Sequence, residues 1–197
     1  MTAARGRDSD AFRKMGLVPH ALEGHTGSSF VCFGKTKVVC TMKGPECCKI
    51  PDLEHDCFGH VNVTVGGLSK EENEIIKRSV RNAIWASLFR IKIVKMKLSF
   101  DIRVAKDDGN VLAACINAAN IALTNAGVEQ FDMAIGTGLA LRTDDVSLVD
   151  PTKEDEKAGC GLLSVGMLPS LMQVASWRIH WSNILQKVHV CCRTLFG

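Results

Sequence analysis

An α+β domain is the fold class this sequence predicts, and three observations carry it. Several short runs alternate apolar and polar residues with the period of a strand, and they fall in pairs. Two longer segments, beginning near Ser69 and Asn110, repeat their apolar residues with helical spacing instead. The 197 residues are 46% hydrophobic and 23% charged with mean hydropathy +0.09, values of a globular chain rather than a disordered, collagenous or coiled-coil one. Strands in pairs with helices between them make α+β. No fixed-period repeat, low-complexity tract or Pro/Ser-rich linker divides the chain, so one domain is expected. Its longest apolar stretches are too short for a bilayer-spanning helix, and no membrane partner is expected.

The elements follow in order. Residues 1–23 begin with Arg5, Arg7, Asp8 and Asp10 and lack the apolar stretch of a secretory signal; they read as a mobile N-terminal segment before a domain at 24–197. Nine cysteines without an export signal read as reduced, small hydrophobic residues, in an intracellular soluble protein. Ser29–Phe33 and Lys37–Met42 flank Gly34-Lys35 as a β-hairpin, and Gly44-Pro45 is expected to end its second strand. A loop over 46–59 precedes a strand at Val61–Val65. Ser69 and Glu72 have capping-box spacing, and Ile76, Val80, Ala83, Ile84 and Leu88 follow on one helical face. Met96, Leu98, Phe100, Ile102 and Val104 then alternate with polar residues as a half-wet strand. Asp107-Asp108-Gly109 breaks the chain, Asn110 is read as an N-cap, and Val111–Asn125 as a helix stopped by Gly127. Its many alanines predict close approach to a sheet. Met133–Leu141 reads as a strand, Thr143-Asp144-Asp145 as a turn into Val146–Val149, and Lys153–Lys157 as a short helix. Leu162–Met167 and Leu171–Ser176 read as strands, and Trp181–Leu195 as a final helix.

A net charge of +3 announces no partner, but the charge is uneven. Lys77–Lys106 holds nine Lys or Arg against the one acid Asp101, a pattern that fits either a phosphate-rich partner or a solvated face. Asp144–Lys157 is acidic. Gly34-Lys35-Thr36 imitates the end of a P-loop, but Ser29 stands where that loop needs glycine and a strand follows where it needs a helix. Phe30-Val31-Cys32-Phe33 imitates half of an RNA-recognition signature, without the stacking aromatic and in a chain with no tyrosine. Cys47, Cys48, His55 and Cys57 lack zinc-site spacing, and no metal is expected; Cys191-Cys192 read as packing residues. Neither His180 nor His189 has a carboxylate neighbour in sequence. Two stretches remain open. Asp107 to Ala119 sets a glycine turn at a helix N-terminus, either a phosphate cradle or an ordinary cap. Asp150-Pro151-Thr152-Lys153-Glu154-Asp155-Glu156 is either a carboxylate site for metal or acid–base work or a solvated turn.

Four stretches taken together resemble the RNase PH family of phosphorolytic exoribonucleases and exosome ring subunits. They are Gly27-Ser28 through Gly34-Lys35-Thr36 to Gly44-Pro45; Lys77-Arg78-Ser79-Val80-Arg81; Asp108-Gly109 to Gly127; and Leu148-Val149-Asp150-Pro151-Thr152 onward to Met167-Leu168-Pro169-Ser170. Their order is colinear and spans nearly the whole domain. Asp108 to Cys115 and Asp150-Pro151-Thr152 are most similar to the small, non-catalytic RNase PH-like subunit of the eukaryotic exosome core.

The resemblance implies an RNase PH-like β-α-β-α domain, of the ribosomal protein S5 domain 2-like type, in a hexameric ring around an RNA channel. It implies other RNase PH-like subunits, RNA-binding cap subunits and single-stranded RNA as partners, no cofactor, and residence in nucleus, nucleolus and cytoplasm. Self-association is expected of the isolated chain, since open strand edges would lack their neighbours. Active members hold phosphate with a Gly-Thr/Ser-Arg turn; here it is Gly109-Asn110-Val111, and valine has no donor to replace the arginine fork. The two family acids fall on Glu156 and Leu162. With Asn110, Val111 and Leu162 departing from the pattern, no catalytic residue is assigned. Arg78 and Arg81 match the basic positions of the RNA-handling surface. The competing readings are a phosphate-dependent 3′ exoribonuclease using Glu156, and a hydrolytic nuclease whose divalent metal is held by Asp107, Asp108 or the acids at 154–156.

Overall fold

The computed structural model describes residues 9, 11–47, 59–141, 147–159 and 161–181. Among them are nine strands and three α-helices. They are β1 (Met15–Pro19), β2 (Gly27–Phe33), β3 (Thr36–Cys47), β4 (His60–Gly66), α1 (Lys70–Ser87), β5 (Met96–Lys106), α2 (Val111–Asn125), β6 (Ile135–Leu141), β7 (Ser147–Val149), α3 (Lys153–Ala158), β8 (Gly161–Leu168) and β9 (Gln173–Trp181). A five-stranded sheet runs β1-β2-β3-β5-β4 and a four-stranded sheet runs β7-β6-β8-β9. Only β4 and β5 pair in parallel, because α1 crosses between them; the other pairs are antiparallel. The α+β expectation holds.

Helices α1 and α2 lie between the two sheets: α2 packs on β2, β3 and β5 from one side and on β6 and β8 from the other. Strand alternation supplies the first wall, with Val31, Phe33, Val38, Cys40, Met42, Leu98, Phe100 and Ile102 buried. Helix α2 is buried nearly all round, and its alanines let both sheets reach its backbone. A Cβ on Gly27 of β2 would stand 2.1 Å from the Ala122 carbonyl oxygen, and one on Gly136 of β6 would stand 2.6 Å from that of Ala113. Small side chains on the helix and glycines on both strands are thus one packing solution. Cys40 and Cys115 are buried in this core as free thiols; burial pushes Cys115 up to about 12 and Cys40 higher still.

The structure departs from the sequence pattern at several points. Met15–Pro19, inside the segment expected to be mobile, pairs with β2 along its length, so residue 23 does not bound the sheet. Strand β3 does not end at Gly44-Pro45 but continues to Cys47, because the register against β5 shifts between Lys43 and Glu46 and the proline needs no ladder donor there. Trp181 ends β9 rather than starting a helix. The rest of the expected final helix, Cys191-Cys192, His189, the 143–145 turn, and Cys48, His55 and Cys57 lie outside the described residues.

Candidate functional site

The site is built around the N-terminus of α2. Strand β5 ends at Lys106 and the chain turns through Asp107-Asp108-Gly109, where Gly109 has φ +86°. This turn rests on the backbone after β7, and the Lys153 N–H donates to the Asp108 carbonyl at 3.1 Å. Thr36, at the start of β3, ties the same turn from below. Its hydroxyl donates to the Gly109 carbonyl at 2.8 Å and accepts from the Asp108 N–H at 3.1 Å.

Asn110 stands at the N-cap position, as its residue type predicts, and its carbonyl accepts from the Ala114 N–H at 3.2 Å, but its side chain does not cap α2. Its backbone is left-handed (φ +55°), and Nδ2 donates instead to Asp150 Oδ1 at 2.7 Å. Asp150 is itself left-handed (φ +52°) and 1% exposed, and it is not part of a solvated or metal-binding acidic cluster. Arg13 grips it as a fork, Nε to Oδ2 at 2.8 Å and Nη2 to Oδ1 at 2.7 Å, while the Arg13 N–H donates to Oδ2 at 3.1 Å. The same guanidinium donates to the carbonyls of Asp108 at 2.8 Å and Gly109 at 3.3 Å. One buried arginine thus ties the segment leading into β1 to the turn before α2 and the residue after β7.

Glu156 faces the helix end. Its Oε1 accepts from the Asn110 backbone N–H at 2.7 Å, so a carboxylate of the chain occupies a donor at the α2 N-terminus. Burial raises the Glu156 carboxyl above its ordinary value of 4.5 and the charge of Asp107 adds to this, while the Asn110 N–H opposes it. The folded state therefore holds the Glu156 proton more tightly than the unfolded chain, and stability falls as pH rises from 4.5 through the raised value. Glu156→Gln, which keeps an acceptor for Asn110, is expected to remove that decline and leave the protein at least as stable at neutral pH. Urea titrations across this range check it; a variant clearly less stable at neutral pH would show that the charge is favourable there.

The remaining acids are committed within the chain. Asp107 accepts from the Gly109 N–H at 3.0 Å and pairs with the Lys153 ammonium, and Asp155 caps α3 through Thr152. Asp108 Oδ2 lies 3.8 Å from Arg13 Nη1. Among the described residues no group of three His, Cys, Asp or Glu side chains is placed to hold a metal ion. Val111, half-buried, begins α2 and offers no donor beyond its backbone. Leu162 lies on β8 between Ala140 and His180 and brings an apolar side chain where the resemblance places an acid.

Arg78 and Arg81 stand apart from this network, on the exposed face of α1. The helix forms as its spacing predicts: Ser69 accepts from the Glu72 N–H, the Glu72 carboxylate accepts from the Ser69 N–H, and Ile76, Val80, Ala83 and Ile84 are buried. Glu71 and Glu72 in the first turn suit its dipole.

Two features escaped the sequence reading. Arg13 and Asp150 are 137 positions apart, and no spacing relates them. A cleft of about 370 Å³ opens between β1 and β6, walled by Phe12, Met15, Leu17, Ile121, Met133 and Ile135. Asn120 of α2 lines it, fully buried, with neither amide atom partnered among the described residues. A polar residue within an alanine-rich helix was the available signal for Asn120.

Comparisons with known proteins agree with this architecture. Residues 11–129 match the family described as 3′ exoribonuclease family, domain 1. The chain is 27% identical to exosome complex component MTR3 of Homo sapiens over 192 residues, 83% of this chain and 68% of that protein. It is 31% identical to exosome complex component Rrp42 of Archaeoglobus fulgidus over 189 residues, 81% of this chain and 73% of that one. Among solved structures, rice (Oryza sativa) Rrp46 superposes with a TM-score of 0.85 at 19% identity, covering 97% of this chain and 91% of that one, a likeness of fold.

Proposed function

This chain belongs to the 3′ exoribonuclease (RNase PH) family, and from that premise we propose that it is a non-catalytic RNase PH-like subunit of an exosome core ring. In that role it positions neighbouring RNase PH-like subunits and RNA-binding cap subunits and guides single-stranded RNA toward 3′-to-5′ processing and degradation in nucleus and cytoplasm. The names of its relatives, exosome components from a human and an archaeal source, support the assembly.

The observation that carries the non-catalytic reading is the Glu156 carboxylate on the Asn110 N–H at 2.7 Å. Phosphorolysis needs an inorganic phosphate beside the scissile bond, held by donors at this helix end. With that donor taken, phosphate binding would need a guanidinium beside it to outweigh the carboxylate. The nearest buried guanidinium, Arg13, spends its fork on Asp150, and Val111 has none to offer. Arg78 and Arg81 act on the RNA backbone by charge, which needs no particular sequence.

The test is nucleoside diphosphate release from single-stranded RNA by the purified chain, with and without inorganic phosphate. No release in either condition is expected, together with retention of RNA at low salt. Replacing Arg78 or Arg81 with glutamine is expected to flatten the salt dependence of that binding by about 0.7 in log–log slope per arginine. Phosphate-dependent release that is lost in Glu156→Gln would overturn the non-catalytic assignment.

A further inference from the structure

Resting on the reading that this chain handles single-stranded RNA, we propose that Trp85 and Arg90 form a base-stacking shelf at the end of the Arg78–Arg81 row. The helix sets the geometry. Ile76, Val80, Ala83, Ile84 and Ser87 turn toward the core, whereas Arg78, Arg81 and Trp85 follow at i, i+3 and i+7, the two arginines exposed and Trp85 half-buried, part of it packed against the core. At about 100° per residue these three lie within an arc of about 60°. Where α1 ends, the short 3-10 turn Arg90–Ile93 folds back and carries the exposed Arg90 over the Trp85 ring, its guanidinium carbon 5.8 Å from the centroid.

The charge pattern selects the partner. Lys77 pairs with Glu74, and Lys92 pairs with Glu129 while lying 5.8 Å from the Phe89 ring, which packs on Phe131. Arg78, Arg81 and Arg90 form no ion pair among the described residues. Three unneutralised guanidinium groups beside a half-buried indole complement a polyanion that also carries flat apolar rings. Single-stranded RNA is such a polymer: its phosphates meet the arginines and its bases stack on the ring or on the guanidinium plane. An acidic polypeptide would meet the same arginines and gain nothing from the indole. Every base has a π-face, so the shelf tolerates any sequence, as the passage of varied RNA requires.

The test compares binding of the full chain to a short oligoadenylate, to an abasic oligomer of equal phosphate number, and to polyglutamate. Trp85→Ala is expected to weaken oligoadenylate binding roughly tenfold and to leave the abasic and polyglutamate affinities unchanged. Trp85→Phe, which keeps a ring, should retain most of the oligoadenylate affinity. Arg90→Lys, which keeps charge without the plane, should lose part of it, again for the base-bearing oligomer alone. Urea unfolding of each variant shows whether it is folded, and Trp85→Phe and Arg90→Lys carry the test if Trp85→Ala is not. Equal loss for base-bearing and abasic oligomers, or no loss for either, would overturn the shelf while leaving the arginine row standing. Absence of all oligonucleotide binding by the unaltered chain would overturn both the shelf and the RNA reading it rests on.

Discussion

Asp150→Ala is expected to cost about 3–5 kcal/mol of folding stability. The residue is 1% exposed, and its partner Arg13 is 7% exposed at the side chain. Removing the carboxylate leaves a buried guanidinium with only two carbonyl acceptors and strips Asn110 Nδ2 of its acceptor. Desolvation alone would raise the Asp150 carboxyl; hydrogen bonds from Arg13 and Asn110, with the charge of Arg13, overcome this and hold it below its ordinary 3.8. A depressed carboxyl stabilises the fold above its unfolded value and loses that contribution as pH falls through the folded one. Urea midpoints should therefore separate wild type from Asp150→Ala widely at neutral pH and converge in acid below 3.8. Asp108→Ala is the contrast: Asp108 is 28% exposed and 3.8 Å from the same guanidinium, so its loss is expected to stay below about 1 kcal/mol. A similarly small loss for Asp150→Ala would mean that water reaches Arg13 and that the brace is not what holds β1 to the site.

Gly109→Ala is expected to cost about 2–4 kcal/mol, combining backbone strain with overlap. At φ +86° an L side chain is strained, and its Cβ would stand 2.5 Å from the Thr152 carbonyl carbon, 2.6 Å from the Lys153 nitrogen and 2.7 Å from the Pro151 oxygen. All three are backbone atoms, so no side-chain rotation relieves the clash. Gly127→Ala separates the two causes, because Gly127 has φ +71° with nothing within 4 Å and should show strain alone, about 1–2 kcal/mol. Thermal or urea unfolding of the pair checks the difference. Equal losses would show that the turn before α2 yields freely, and that the Glu156–Asn110 contact does not depend on its close seat.

Both predictions concern a part of the molecule that was only partly legible from sequence. The stretch 107–119 was visible as a glycine turn at a helix start, and Val111 and Leu162 were visible as departures from the resembling family's pattern. Asp150 was visible as part of the resembling stretch Asp150-Pro151-Thr152 and as one of several acids, with a metal site or a solvated turn as its possible roles. It is neither: its partner Arg13 comes from a segment that reads as mobile because five strand residues flanked by charge have little structure of their own. That strand exists because β2 lies beside it. Asn110 shows the same limit, since its type predicts a cap while the nearby Asp150 carboxylate draws its amide away.

The sequence by itself determined the fold class, the capping box of α1 and the limits of α2. These depend on residues a few positions apart, whose spacing sets which backbone groups they satisfy and which face they bury. The tertiary structure alone decided that β1 joins the sheet, that Arg13 seizes Asp150 and that Glu156 fills the end of α2. The reason is physical: burial makes each of those charges costly unless a partner is present, and the partner is supplied by a segment far away in the chain.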